Sequence, residues 1–405
     1  MKILIKNIKQ LVQVRGQTPP PLRGEQTNRL PVIENAWLLV DNEIIAGFGN
    51  MDRLPSVQAD EIIDASGRLV MPAWVDSHTH LVFPASRYEE FTDKIRGLSY
   101  EQIAAKGGGI LNSARKLRQT SEDELFESAK QRLALAKQYG TGAVEIKSGY
   151  GLSTEAELKM LRVIKRLKET ENIPVKATFL GAHAVPENIK KEDYVQIIIR
   201  EMLPEIAKEQ LADYVDVFTE KGYFDAGDTE QILNAASQYG LKPKIHVNQF
   251  TSIGGIETAV KYQALSVDHL EVMTEEDFRL LENSGVIATA LPGCSFFIDI
   301  PYAPVKKMIE RNIIVALATD FNPGSAPSWN MNFIISLACI KQKLTPEQAI
   351  NAATINAAYA LELQNQSGII RKGAPARLLV TVPLQHYGEL PYYFGTNPVE
   401  KTIGF

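Results

Sequence analysis

Residues 76–80 read DSHTH and follow the apolar run LVMPAWV. The chain has only six histidines, yet two of them stand one residue apart at the end of that run. In a strand, positions i and i+2 face the same side, so His78 and His80 aim two imidazoles at one point. Burying such a pair costs free energy unless something neutralises or uses it, and a divalent metal uses it well. Alone, the motif fits a half-exposed loop equally well.

The other histidines argue for the metal. His183 ends the run FLGAH, His246 lies in KIH and His269 ends SVDH, each at the close of a β-rich stretch; only His386 lies elsewhere. A carboxylate, Asp320, closes the apolar run VALATD, where burial without a partner would be expensive. Three imidazoles, from His78, His80 and His246, together with Asp320 make a Zn²⁺ or Fe site with an open position for water. A metal so held lowers the pKa of that water towards neutrality.

Such convergence needs a scaffold. Up to about residue 70 the chain alternates apolar and polar residues in short runs broken by Gly, Asp and Asn, which reads as strands and turns. QTPPPLRGEQTNRLP interrupts them as an exposed loop. From residue 71 onward, β-rich runs alternate with amphipathic helices such as STEAELKMLRVIKRLKE, where Thr154 and Glu157 have capping-box spacing. The runs LVMPAWVDSHTH, GAVEIKS, PVKATFLGAH, ADYVDVFTE, KPKIHVN, LSVDHL, GVIATALP and IIVALATD supply eight strands. Eight strand–helix units predict an α/β fold, a closed (β/α)₈ barrel whose active site lies at the C-terminal strand ends, and the histidines fall at those ends. The tail, GIIRKGAPARLLVTVP onward, returns to strands and turns. The expected domains are a barrel over 71–361 and a small β-sandwich built from 1–70 and 362–405.

Composition sets further bounds. A hydrophobic content of 45% and a charged content of 22% suit a globular protein, and the net charge of −5 offers no basic surface for nucleic acid. No apolar run approaches a membrane span, the start lacks a signal-peptide pattern, and two cysteines, Cys294 and Cys339, suit a reducing cytoplasm as core-packing residues. The expectation is a cytoplasmic protein acting on a small molecule.

The stretches DSHTHLVFPASRYEEF, KGGGI, EIKSGYGLSTEAELKML, FLGAHAVP, IHVNQFTSIGG, SVDHLE and LATDFNPGS resemble the amidohydrolase superfamily over nearly the full length. They are most similar to its branch that opens imidazolone rings in histidine degradation. The resemblance implies a TIM-like metal-dependent hydrolase barrel with a composite β-sandwich. It implies hydrolysis of 4-imidazolone-5-propanoate to N-formimidoyl-L-glutamate, with one divalent or trivalent metal per chain, Zn or Fe, on His78, His80, His246 and Asp320. Arg87, Tyr150, His183 and Gln249 would hold the substrate. Asn322, Gly324 and Ser325 would contact the opened product, and His269 would stand beside the attacking water. The expected assembly is a homodimer.

Gln249 stands where some relatives place Glu. A glutamine orients substrate or water but takes no proton, so the base role moves to Asp320, assisted by His269. Ala73 and Arg377 also depart from the family pattern and concern packing. Lys147 ends the second strand rather than the fourth, where a carboxylated lysine bridges two metals in some members, so one metal is expected. Arg87 offers a planar fork for a carboxylate, with Glu90 as its ion-pair partner, and KGGGI at 106–110 fits a mobile lid or a flexible loop. The nearest rival is another amidohydrolase reaction on a cyclic amide, or deamination of a nucleobase-like ring. A silent binding barrel would be expected to have lost ligands, and all four remain.

Overall fold

A computed structural model describes residues 1–98, 102 and 108–405. Five strands come first: β1 (Lys2–Val12), β2 (Val32–Asp41), β3 (Ile44–Asn50), β4 (Glu61–Asp64) and β5 (Arg68–Pro72). Eight follow: β6 (Trp74–Asp76), β7 (Thr141–Lys147), β8 (Val175–Ala182), β9 (Tyr214–Thr219), β10 (Lys242–Val247), β11 (Ser266–His269), β12 (Ile287–Ala290) and β13 (Val315–Leu317). Two close the chain, β14 (Leu378–Pro383) and β15 (Val399–Ile403).

Strands β6 to β13 pair in sequence order, every pair parallel, with helices between them. Their residues read as continuous apolar runs because both faces are covered. The circle closes just beyond the ends of β13 and β6, where the Asp320 amide donates to the His78 carbonyl at 3.0 Å and the His80 amide to the Phe321 carbonyl at 2.9 Å. The seam of the (β/α)₈ barrel therefore runs through the candidate ligands.

The other strands form a sheet ordered β15-β14-β5-β1-β2-β3, with β4 beside the first part of β1. Both chain ends contribute to it, with its own apolar core of Ile5, Ile8, Leu38, Val70, Leu378 and neighbours. The run LVMPAWVD serves both bodies: β5 ends at Pro72 in the sheet and β6 begins at Trp74 in the barrel, with Ala73 as the joint.

Two local expectations need correction. The proline-rich stretch is not simply exposed: Leu22 and Thr27 are buried, and the Asn356 amide clamps Leu22 through both backbone groups, at 2.8 and 3.1 Å. The helix Thr154–Thr170 is preceded by Ser153 and has no side-chain cap; Thr154 turns to Glu201, and Glu157 is used elsewhere, as described below. Of the glycine segment 106–110, Lys106 and Gly107 lie outside the described residues, while Gly109 opens the helix Gly109–Gln119 and donates to Glu90. Among the described residues no helix is long and apolar enough to cross a membrane.

Candidate metal centre and active site

His78 and His80 lie just past β6, His246 near the end of β10 and Asp320 just past β13; all are buried. Nε2 of His78 stands 3.5 Å and Nε2 of His80 3.6 Å from Asp320 Oδ1, while Nε2 of His246 is 3.4 Å from Nε2 of His80. Bonds of about 2.1 Å at tetrahedral angles set zinc donors about 3.4 Å apart, so the spacing suits a divalent ion. His78 Nε2 is moreover a buried nitrogen with no hydrogen-bond partner among the described residues. Such an atom is costly unless a cation takes its lone pair. Burial holds all three imidazoles well below their usual pKa, helped by the nearby Lys147 charge, so they are neutral as ligands must be.

Beneath these candidate ligands lies a buried charge cluster of which the sequence reading singled out Lys147 alone. Asp268 accepts from His78 Nδ1 at 2.7 Å, and Asp216 from His246 Nδ1 at 2.8 Å. Each carboxylate fixes its ring with Nε2 turned to the centre. Lys147 Nζ binds Glu145 at 2.8 Å and Asp216 at 2.8 Å and stands 3.6 Å from Asp268, and Lys244 Nζ lies 3.4 Å from Glu145. Burial works against the Lys147 charge, but Asp216, Glu145 and Asp268 outweigh it and push its pKa up. A carboxylated lysine requires the neutral amine, so this cluster keeps Lys147 as an ion-pair centre. A signal was present in the sequence: Glu145, Lys147, Asp216, Lys244 and Asp268 are charges set inside apolar strand runs.

Asp320 and His269 stand in strained backbone, with φ of 55° and 91°. Burial pushes the Asp320 carboxyl up to about 7, against the opposing pull of His269. Burial disfavours the charge on His269, but Glu271 beside it wins and raises the imidazole well above its usual range.

Several residues expected at the substrate lie close to these candidate ligands. His183 stacks on His80 at 5.3 Å, and Tyr150 lies 5.6 Å from His183 and 6.0 Å from His80. Tyr150 sits in a turn held by Glu157, whose carboxylate accepts from the amides of Gly149, Gly151 and Leu152 at 3.0, 2.6 and 3.1 Å. Nδ1 of His183 faces the Gly149 carbonyl at 3.0 Å, which fixes it as the N–H and leaves Nε2 as an acceptor. Arg87 gives Nε and Nη2 to Glu90 at 2.8 and 2.6 Å. Its Nη1 lies against Gly324, where a Cβ would come within 2.4 Å. Asn322 accepts from the Gly324 and Ser325 amides at 2.8 and 2.7 Å and donates to the Asp320 carbonyl at 2.7 Å, tying this loop to the ligand. Gln249 lies just past β10 with Nε2 3.4 Å from Cys294 Sγ.

Comparison with known proteins adds lineage to geometry. Residues 92–382 match the model of the amidohydrolase family. The chain is 56% identical to an imidazolonepropionase of Flavobacterium johnsoniae over 405 residues, covering 100% of this chain and 98% of that one. It is 54% identical to an imidazolonepropionase of Christiangramia forsetii, covering 99% and 98%. Among solved structures, guanine deaminase from C. acetobutylicum superposes with a TM-score of 0.74 at 13% identity, covering 100% of this chain and 98% of that one, a likeness of fold.

Proposed function

The chain belongs to the amidohydrolase family, and within it to the imidazolonepropionases; from that premise we infer how its residues carry out the reaction. It hydrolyses a ring C–N bond of 4-imidazolone-5-propanoate, yielding N-formimidoyl-L-glutamate in histidine degradation. The observation that best supports the site assignment is the approach of His78 Nε2 and His80 Nε2 to Asp320 Oδ1 at 3.5 and 3.6 Å, with all three side chains buried.

In this reading one metal per chain, Zn or Fe, is held by His78, His80, His246 and Asp320, and when bound it supplies Lewis acidity and a more acidic water. Asp320 takes a proton from the attacking water and returns it to the departing ring nitrogen. The C–N bond breaks as the carbonyl carbon becomes a carboxylate. His269, kept protonated by Glu271, donates to the oxygen on which negative charge develops. His183 accepts from a ring N–H, the Tyr150 hydroxyl donates, and Gln249 orients the water. Arg87 binds the propionate through the guanidinium edge that Glu90 leaves open. Asn322, Gly324 and Ser325 receive the new carboxylate.

The protein works in the cytoplasm in this reading, as a homodimer, for which the exposed aromatic run Tyr392, Tyr393 and Phe394 offers a self-contact. Arg87 favours a carboxylated substrate over a nucleobase. The test supplies metal-loaded protein with 4-imidazolone-5-propanoate and identifies the product directly, since the substrate's absorbance also falls when it decays. Cytosine and a cyclic amide without the propionate arm run in parallel. We expect product from the propionate compound alone, with Arg87→Met chiefly raising KM. Turnover of cytosine instead would keep the barrel and overturn the substrate.

A further inference from the structure

A second set of candidate metal-binding side chains lies beside the first and shares none of its four proposed ligands, though the His269 ligand atom also lies within 4.8 Å of those of His78 and His246. Nδ1 of His269 faces Glu271 Oε1 at 3.4 Å, and the ligand atoms of His269, Glu271 and Cys294 all lie within 4.8 Å of one another. All three residues are buried, at 3%, 6% and 0% exposure. Glu271 Oε1 also accepts from Ser295 at 3.2 Å, but its other oxygen, Oε2, is buried without a hydrogen-bond partner among the described residues. An unpaired carboxylate oxygen at such a depth is a standing cost that a cation removes.

The donor types narrow the ion. A thiol, an imidazole and a carboxylate suit zinc and softer divalent ions such as cadmium, whereas magnesium and calcium prefer oxygen alone. Tetrahedral zinc needs donors about 3.3–3.8 Å apart, so the three close by at most about 1.5 Å, and Gln249 Nε2, 3.4 Å from Cys294 Sγ, swings aside. The thiol proton leaves to solvent on binding.

We propose that His269, Glu271 and Cys294 form a second, weaker site for Zn²⁺ or Cd²⁺, and that filling it stops the reaction. Its ion takes the His269 nitrogen that faces Glu271 in place of the proton there, and draws the ring, Glu271 and Cys294 onto itself and away from the reacting oxygen. The main site stays filled, so the inhibition needs metal in excess. The inhibitory half rests on the hydrolytic role given to His269; the binding half rests on geometry alone.

The two halves separate experimentally. Cobalt titrated into the holoenzyme gives an intense near-ultraviolet thiolate-to-metal charge-transfer band only where a sulfur binds, and none of the main-site donors is sulfur. We expect the band to grow with about one further ion per chain beyond the first, to survive Cys339→Ser, and to vanish in Cys294→Ala. Glu271→Gln, which keeps its shape, should weaken it should Cys294→Ala fold poorly. In parallel, a zinc concentration that slows the unmodified enzyme about ten-fold should slow Cys294→Ala, relative to its own zinc-free rate, less than about two-fold. No band, or a band lost with Cys339 instead, overturns the site. A Cys294-dependent band with zinc-insensitive turnover overturns the inhibition, and absence of any imidazolone turnover would strike the functional reading while the band still tests the site.

Discussion

In the proposed reaction the proton is carried by Asp320 rather than by Gln249, whose amide takes none. Asp320→Asn should therefore cost about 100-fold or more in kcat, the usual worth of a positioned base, while Gln249→Glu should stay within about ten-fold. Steady-state rates at matched metal content decide this; near-full activity of Asp320→Asn would remove it as the base. His183 makes a different prediction. Its pKa is depressed to about 4, so between there and the ordinary value near 6.5 the unfolded chain binds a proton that the folded chain refuses. That contribution is complete above the unfolded value and is lost as pH falls through the window. Urea unfolding should show His183→Gln losing less stability than the unmodified chain between about pH 7.5 and pH 5. These residues were legible because histidine is rare in the chain and each sits at a strand end. Lys147, Asp216 and Asp268 were harder to read, because a charge within an apolar strand gives no sign of its partner on the next strand. Cys294 read as core packing for the same reason: it lies in the helix Pro292–Ile298, while its neighbours Gln249 and His269 stand past β10 and at the end of β11.

At the scale of elements, the alternation of β-rich runs and helices predicted all eight barrel strands, and each forms within its run except β7, which begins one residue earlier at Thr141. The boundaries moved where one run does two jobs. LVMPAWVDSHTH looked like a single strand but divides at Ala73, because its first half pairs with β14 and its second with β7. Glu157 looked like a helix cap because its spacing from Thr154 matches one; the three amides of the SGYGL turn outcompete that role. The joint at Ala73 has an energetic consequence. A Cβ on Gly142 would stand 2.4 Å from Ala73 Cβ, with the Phe405 ring at 3.4 Å behind it. Gly142→Ala should destabilise by about 1–3 kcal/mol through overpacking. Ala73→Gly should recover most of that loss in the double variant, since the two sites share one contact. Chemical denaturation of the four proteins measures the coupling, and additive effects would place the strain elsewhere.

At the scale of the whole molecule, the ligands and the barrel seam occupy the same place. His78 and His80 follow the first barrel strand, Asp320 follows the eighth, and His246 reaches in from the fifth. The short strands β6 and β13 are joined to each other beyond their ends, through the Asp320 amide on His78 and the His80 amide on Phe321, with a single bridge between Thr79 and Phe321. The longer ladder of β9 and β10 runs over six paired positions. An ion on these four side chains would thus staple the weakest join in the circle, and at a free concentration of about 1,000 times its Kd it would add about 4 kcal/mol to folding. Its removal should act unevenly, because local opening follows the number of bonds that must break. Chelation should raise hydrogen exchange at the amides of His80 and Asp320 by a larger factor than at those of Ile245 and Val247, and lower Tm as well. The opposite order, or an equal loss of protection around the whole barrel, would show that the ion stabilises the fold globally and that the seam closes without it.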